Sequence, residues 1–209
     1  VLGDNVVVNE GGFFSSKVVR LTLGANANIG FGAFQKCTEL ETVVMPEHGG
    51  VTVGTSAFAG DTKLSEIDLT KLGESIGNEA FYNCSSLTKA DLASVKFIGD
   101  YAFADCSRLK EISLSSVVLI GEGAFARVSE TGGAPIFTAL VLPDTLEGIG
   151  MGAFLGCGGF TEVTLPEGFE TIEDFTFSYC TGLLSVHLPD SLTSIGEYAF
   201  IGCSALVSV

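Results

Sequence analysis

Residues 195–206 read "IGEYAFIGCSAL". Alone, the stretch suits a short helical end or a loop around a metal. It does not stand alone. "IGDYAFADCSRL" begins at Ile98, "IGNEAFYNCSSL" at Ile76, "IGFGAFQKCTEL" at Ile29 and "IGMGAFLGCGGF" at Ile149. A catalytic site is needed once, whereas a phrase repeated along a whole chain is architecture. Aligned on its phenylalanine, the phrase falls at Phe34, Phe58, Phe81, Phe103, Phe125, Phe154, Phe177 and Phe200, in steps of 24, 23, 22, 22, 29, 23 and 23 residues. A period in this range marks a solenoid, whose coils bury their apolar faces only against one another.

The consensus is I-G-x-x-A-F-x-x-C-x-x-L-x-x-V-x-L-P, then a variable link. "LxxVxL", as in Leu183, Val186 and Leu188, alternates at its end and predicts a half-buried strand. Pro46, Pro143, Pro166 and Pro189 end that strand. The link returns to an Ile such as Ile172 or Ile195, in a second short strand. The next Gly permits a tight turn and close backbone approach. "xxAFxxC" is long enough for about one helical turn. Its Ala is small because coils stack closely, and its Phe fills the widest part of the core.

These residues resemble the BspA-like leucine-rich repeat of bacterial and some protozoan surface proteins. The likeness covers roughly residues 29–209 and recurs eight times. It implies a leucine-rich-repeat solenoid: a right-handed, β-rich superhelix with a parallel sheet on its concave side, short helical turns and short second strands. At about 4.8 Å per coil it would be roughly 40 Å long. Residues 1–28 form a degenerate N-terminal coil, because "VVRLTL" at 18–23 supplies a strand but Phe14 lies too close to it for a full repeat. Residues 29–209 form about eight repeats of 22–24 residues, with an insertion near 126–137, all in one domain. Asp61 takes the cysteine position in the second repeat, and "SETGGAP" within the insertion suits a surface loop.

The chemical motifs are weaker than the repeat. Cys37, Cys84, Cys106, Cys157, Cys180 and Cys203 share one repeat slot, so their side chains point the same way on adjacent rungs. Disulfides need closer, facing Cβ atoms, so six buried free thiols are expected. Zinc lacks a CxxC pair, and only His48 and His187 are present. "GEGAFA" at 121–126 matches a dinucleotide fingerprint, but the same slot reads "GMGAFL" at 150, so its second Gly is a variable repeat position. The sequon "NCS" at 83–85 surrounds a buried cysteine. No cofactor, metal or catalytic set is expected.

Ten Lys and Arg against 25 Asp and Glu give a net charge of −15. That argues against nucleic acid and anionic membrane surfaces. No apolar run is long enough to span a membrane. In LxxVxL the residues flanking the central apolar one point outward. One outward row contains Glu66, Lys89 and Glu111, alternating in sign. The other contains Asp68, Asp91 and His187. Asp68 and Asp91 would be like charges on neighbouring strands, neutralised either by Lys89 or by a cation or basic partner group. These six residues are the candidate partner contacts.

The family resemblance implies a secreted or cell-surface, non-catalytic module that binds a protein, including a host protein, or a glycan. The alternative is a structural spacer within a larger surface protein. The chain stops inside its last LxxVxL strand, so an extension past Val209 or end-to-end self-association is expected.

Overall fold

A computed structural model describes residues 1–128 and 139–209. Residues 129–138, most of the expected surface-loop insertion, lie outside the described residues. The chain winds as stacked parallel coils around a single phenylalanine ladder. Phe13, Phe34, Phe58, Phe81, Phe103, Phe125, Phe154, Phe177 and Phe200 stack ring on ring, with centroids 4.9–5.6 Å apart and planes within 12°. The seven from Phe34 to Phe177 are fully buried. Each contributes roughly 1.5–3 kcal/mol relative to an exposed ring, and the parallel, offset geometry adds to it.

The first rung is Phe13 rather than Phe14. Val8 takes the Ile position and Ser16 the cysteine position, so residues before 29 form a coil of the same plan. Phe14 points outward, 49% exposed, with Lys36 Nζ 5.8 Å from its ring centre.

All six cysteines are free thiols on one line, and the line has a clear job. Each Sγ donates to the phenylalanine carbonyl of the preceding coil: Cys37 to Phe13, Cys84 to Phe58, Cys106 to Phe81, Cys157 to Phe125, Cys180 to Phe154 and Cys203 to Phe177, at 3.0–3.2 Å. That carbonyl has two lone pairs. Where its own coil carries a cysteine, that residue's amide takes the other, as Cys84 N–H does at Phe81. A buried polar group is thus satisfied by a side chain no larger than a methyl-bearing apolar one.

The expected helical turn is replaced by two successive tight turns. In "IGDYAFADC" the residues before Ala and before Cys are left-handed, Tyr101 at φ 54° and Asp105 at φ 61°, and the same two positions have positive φ in every coil. Ala102, Ala104 and Cys106 N–H close local turns onto Gly99, Tyr101 and Phe103. The intervening amides of Tyr101, Phe103 and Asp105 donate instead to Glu122, Ala124 and Ala126 of the next coil. A helix would use every amide internally; stacking claims half of them. A bulky left-handed residue leans over a glycine of the following coil: a Cβ on Gly123 would meet the Tyr101 ring at 2.4 Å, and one on Gly202 the Tyr179 ring at 2.5 Å. Among the described residues the sole helical element is a 3-10 turn, Leu69–Lys71.

The sheet arrangement also departs from expectation. The longest sheet is built from the short second strands: Val7–Val8, Asn28–Ile29, Val51–Val53, Leu72–Ile76, Phe97–Ile98, Leu119–Ile120 and Gly148–Ile149, all parallel. The LxxVxL strands, expected to form the main sheet, fall into three pieces: Arg20–Thr22 with Thr42–Val44 and Glu66–Ile67; Lys89–Asp91 with Glu111–Ser113; Leu140–Val141 with Glu162–Thr164 and Ser185–His187. The first break has a local cause. Asp68 caps the 3-10 turn that follows Ile67, which ends the strand after two residues.

The second-strand sheet is held by one repeated bond. The amides of Gly30, Gly54, Gly77, Gly99, Gly121, Gly150 and Gly196 each donate to the Ile or Val carbonyl of the preceding coil at 2.7–3.0 Å. Glycine is required by distance here. A Cβ would stand 2.4 Å from the Gly54 carbonyl carbon at Gly77, and 2.5 Å from the Glu122 nitrogen at Gly150. Glu173 occupies this position in "IEDFTF". There the ladder is interrupted: Thr171–Ile172 pairs with Ser194–Ile195 but not with Gly148–Ile149.

Candidate functional site

The outward charges of the LxxVxL strands are exposed and only loosely tied. Lys89 and Glu111 face each other in register, with Lys89 Nζ 3.8 Å from Glu111 Oε2 and 4.0 Å from Asp91 Oδ2. The Lys89 side chain is 58% exposed and that of Glu111 71%. Such pairs contribute little to stability. Glu66 accepts from Thr42 Oγ1 at 3.3 Å across its own piece of sheet. Its strand does not pair with Lys89–Asp91, so the three-residue alternation of Glu66, Lys89 and Glu111 is realised only between the last two.

Asp68 is not set in register against Asp91. Its Oδ1 accepts from Thr70 N–H at 3.1 Å and from Thr70 Oγ1 at 2.5 Å, the usual work of a cap. The like-charge pair inferred from the row of LxxVxL residues is therefore not formed by strand pairing. Asp91 has Lys89 beside it. His187 lies apart from these, with Nε2 2.9 Å from Glu162 Oε1, across the neighbouring strand. Five of the six residues thus lie on LxxVxL strands, divided among three separate sheets, and Asp68 follows its strand as the cap of the 3-10 turn.

Two features lay outside that row. On the turn side, Arg127 grips Asp105 with two bonds of 2.6 Å, and the guanidinium holds the Asp105 carboxyl below its ordinary range. Tyr82 shares that carboxylate, which pushes the phenol up. This is a clasp between coils. Inside the core, Asp61 is fully buried in the cysteine slot. Its Oδ1 accepts from Cys37 N–H at 2.7 Å, and its Oδ2 has no hydrogen-bond partner among the described residues. Burial pushes its carboxyl up to about 8. Fully enclosed by the core, it is a stability feature.

Among the described residues no group of three or more His, Cys, Asp or Glu has metal-site geometry. Among them no helix is long and apolar enough to cross a membrane.

Stacked parallel coils, a shared phenylalanine rung and an exposed strand face define a repeat solenoid. The chain belongs to the BspA-type leucine-rich repeat family, whose repeat region matches residues 9–131 and 133–209 in six copies. It is similar in fold to a leucine-rich repeat protein of T. pallidum, with 23% identity and a TM-score of 0.50 over 97% of this chain and 72% of that one. A leucine-rich repeat protein of Bacteroides ovatus is likewise similar, with 24% identity and a TM-score of 0.52 over 98% of this chain and 70% of that one. None of the curated proteins matches the chain significantly.

Proposed function

We propose that the chain is a non-catalytic binding module of a secreted or cell-surface protein, gripping a protein or glycan partner along its exposed strand face. The observation that supports this most is the charged row itself. Glu66, Lys89, Asp91, Glu111 and His187 are held within hydrogen-bond or ion-pair reach of a neighbour yet remain solvent-accessible. Exposed pairs of this kind cost little to rearrange, so they are available to a partner. Repeat scaffolds present extended surfaces of this sort.

The test is capture of extracellular proteins and glycans by the chain and by a Glu66→Ala/Lys89→Ala/Glu111→Ala variant. The variant should keep its thermal midpoint and lose the captured partner. Equal capture by both, with the fold intact, would remove this face from the binding function. A spacer role is the second reading, favoured by the uninterrupted nine-ring stack, which makes the chain a stiff rod. Under that reading no partner is captured by either protein.

A further inference from the structure

The interrupted ladder at Glu173 produces a surface found at no other coil junction among the described residues. At the seven other junctions the glycine amide closes the gap. Between residues 147–150 and 170–173 no backbone hydrogen bond forms, so the carbonyls of Glu147 and Ile149 lack the partners their counterparts have. By contrast, Glu170 O accepts from Thr193 and Ser194, and Ile172 O from Gly196, at the next junction. The opening is local. The coils rejoin at Gly152 N–H to Asp174 O, 2.9 Å, and their Phe154 and Phe177 rings keep the ordinary 5.6 Å spacing. The result is a slot one coil wide, not a separated domain.

The slot is a cleft of 440 Å³ with five carboxylates on its walls: Asp144, Glu147, Glu167, Glu170 and Glu173. None of them has an ion-pair partner among the described residues, and no cation lines the cleft. The charge pattern of the chain reinforces this. All ten Lys and Arg lie between Lys17 and Arg127, so residues 128–209 carry none, against ten of the 25 carboxylates. Asp144 and Glu167 occupy equivalent positions on successive coils, as do Glu147 and Glu170, so the coils place like charge beside like charge. The cleft continues through Gly148, Ile149 and Glu173 into an open groove of 540 Å³. That groove presents Phe97, Leu119 and Met151, each more than two-fifths exposed. Gly148 stands in register with Leu119 and leaves the groove floor without a side chain. Lys96, next to Phe97, is held by Glu74 at 2.7 Å.

We propose that this junction seats an arginine of an extended polypeptide partner, with a neighbouring apolar residue of the same segment on Phe97, Leu119 and Met151. A guanidinium is planar, carries five N–H donors and is weakly hydrated. It suits a narrow slot that offers backbone carbonyls and carboxylates together, and the apolar groove holds the adjoining residue against the sheet. The assignment rests on the reading of the chain as a binding module, but not on the LxxVxL charges, which lie on different strands.

The test titrates the 209-residue chain with a fluorescein-labelled peptide alternating leucine and arginine, read by anisotropy and by amide chemical shifts. Two control peptides replace arginine by neutral citrulline and leucine by serine. Two variants separate geometry from charge. Glu173→Gly restores the repeat glycine; it should close the ladder, protect the amides of residues 171 and 173 from hydrogen exchange, and weaken the peptide at least tenfold. Glu147→Gln/Glu170→Gln keeps the opening and removes two charges, with a similar loss. The citrulline and serine peptides should each bind at least tenfold more weakly than the parent, and shifts should centre on residues 97–99, 119–121, 147–151 and 170–173. The proposal is overturned by equal binding of the citrulline peptide, by full binding to Glu173→Gly once its ladder has closed, by shifts confined to the LxxVxL face, or by no binding of any peptide. The LxxVxL capture variant leaves this cleft untouched, so failure of that reading and failure of this one are distinguishable.

Discussion

Asp61→Cys puts the repeat's own residue back into a core slot, and its effect should depend on pH. Asp61 is fully buried, one oxygen is unpartnered, and burial pushes its carboxyl from 3.8 to about 8. The folded-state value is raised, so the folded chain must hold a proton that the unfolded chain releases above 3.8. Stability is then fully present below that value and is lost as pH rises, levelling off above about 8. At about 1.4 kcal/mol per pH unit, the loss between pH 4 and pH 7 comes to roughly 4 kcal/mol. A thiol in this slot does not titrate in that window, since burial, with the Asp105 charge adding to it, pushes Cys106 up to about 12. It would donate to the Phe34 carbonyl as the other cysteines do to theirs. Cys37 N–H keeps its 3.1 Å bond to Phe34 O, so loss of the carboxylate orphans nothing. The variant's advantage over the parent should therefore grow by roughly 4 kcal/mol from pH 4 to pH 7, a thermal-midpoint difference widening by roughly 8–16 °C for a chain of this size. Asp61→Asn, which keeps an acceptor but cannot ionise, should show the same growth. Midpoint scans by circular dichroism between pH 4 and pH 9 measure it. A difference that stays flat across that range would refute the buried-proton argument.

Phe103→Ala removes a fully buried ring flanked by Phe81 at 5.2 Å and Phe125 at 5.4 Å; it should cost about 3–5 kcal/mol, read as a lowered denaturation midpoint. Lys89→Ala, by contrast, should move that midpoint by less than about 0.5 kcal/mol, since its two contacts are at 3.8 and 4.0 Å on an exposed surface. In iodoacetamide labelling of the native chain, Cys203 should react first: it is half-buried and its thiolate is favoured by the Cys180 thiol beside it, whereas burial pushes Cys84 and Cys106 well up. Denatured chain should yield six labels, and early labelling of Cys84 in the native state would contradict the ladder.

Much of the molecule is legible in its repeat. The period makes a solenoid, the fixed Phe makes its ladder, and the shared cysteine slot makes parallel, unbridged thiols. These follow because one short phrase must satisfy the same packing at every coil. The Phe13 rung was harder to see, because Phe13 and Phe14 are adjacent and only stacking distinguishes them. The double turn in place of a helix was not legible, since "xxAFxxC" is compatible with either. Competition from the next coil for alternate amides decides between them. The outward row follows from the alternation of LxxVxL, but pairing by repeat position sets Asp68 against Asp91, and only the local 3-10 turn at Leu69–Lys71 shows why that pair does not form. Glu173 is the one departure from the repeat glycine after the first coil. What it does depends on tertiary structure: a Cβ matters at that position only because the preceding backbone lies within about 3 Å of it. Sequence alone determines which residues repeat; the spacing of the coils decides which exceptions to the repeat open a surface and which, like Asp61, are sealed inside.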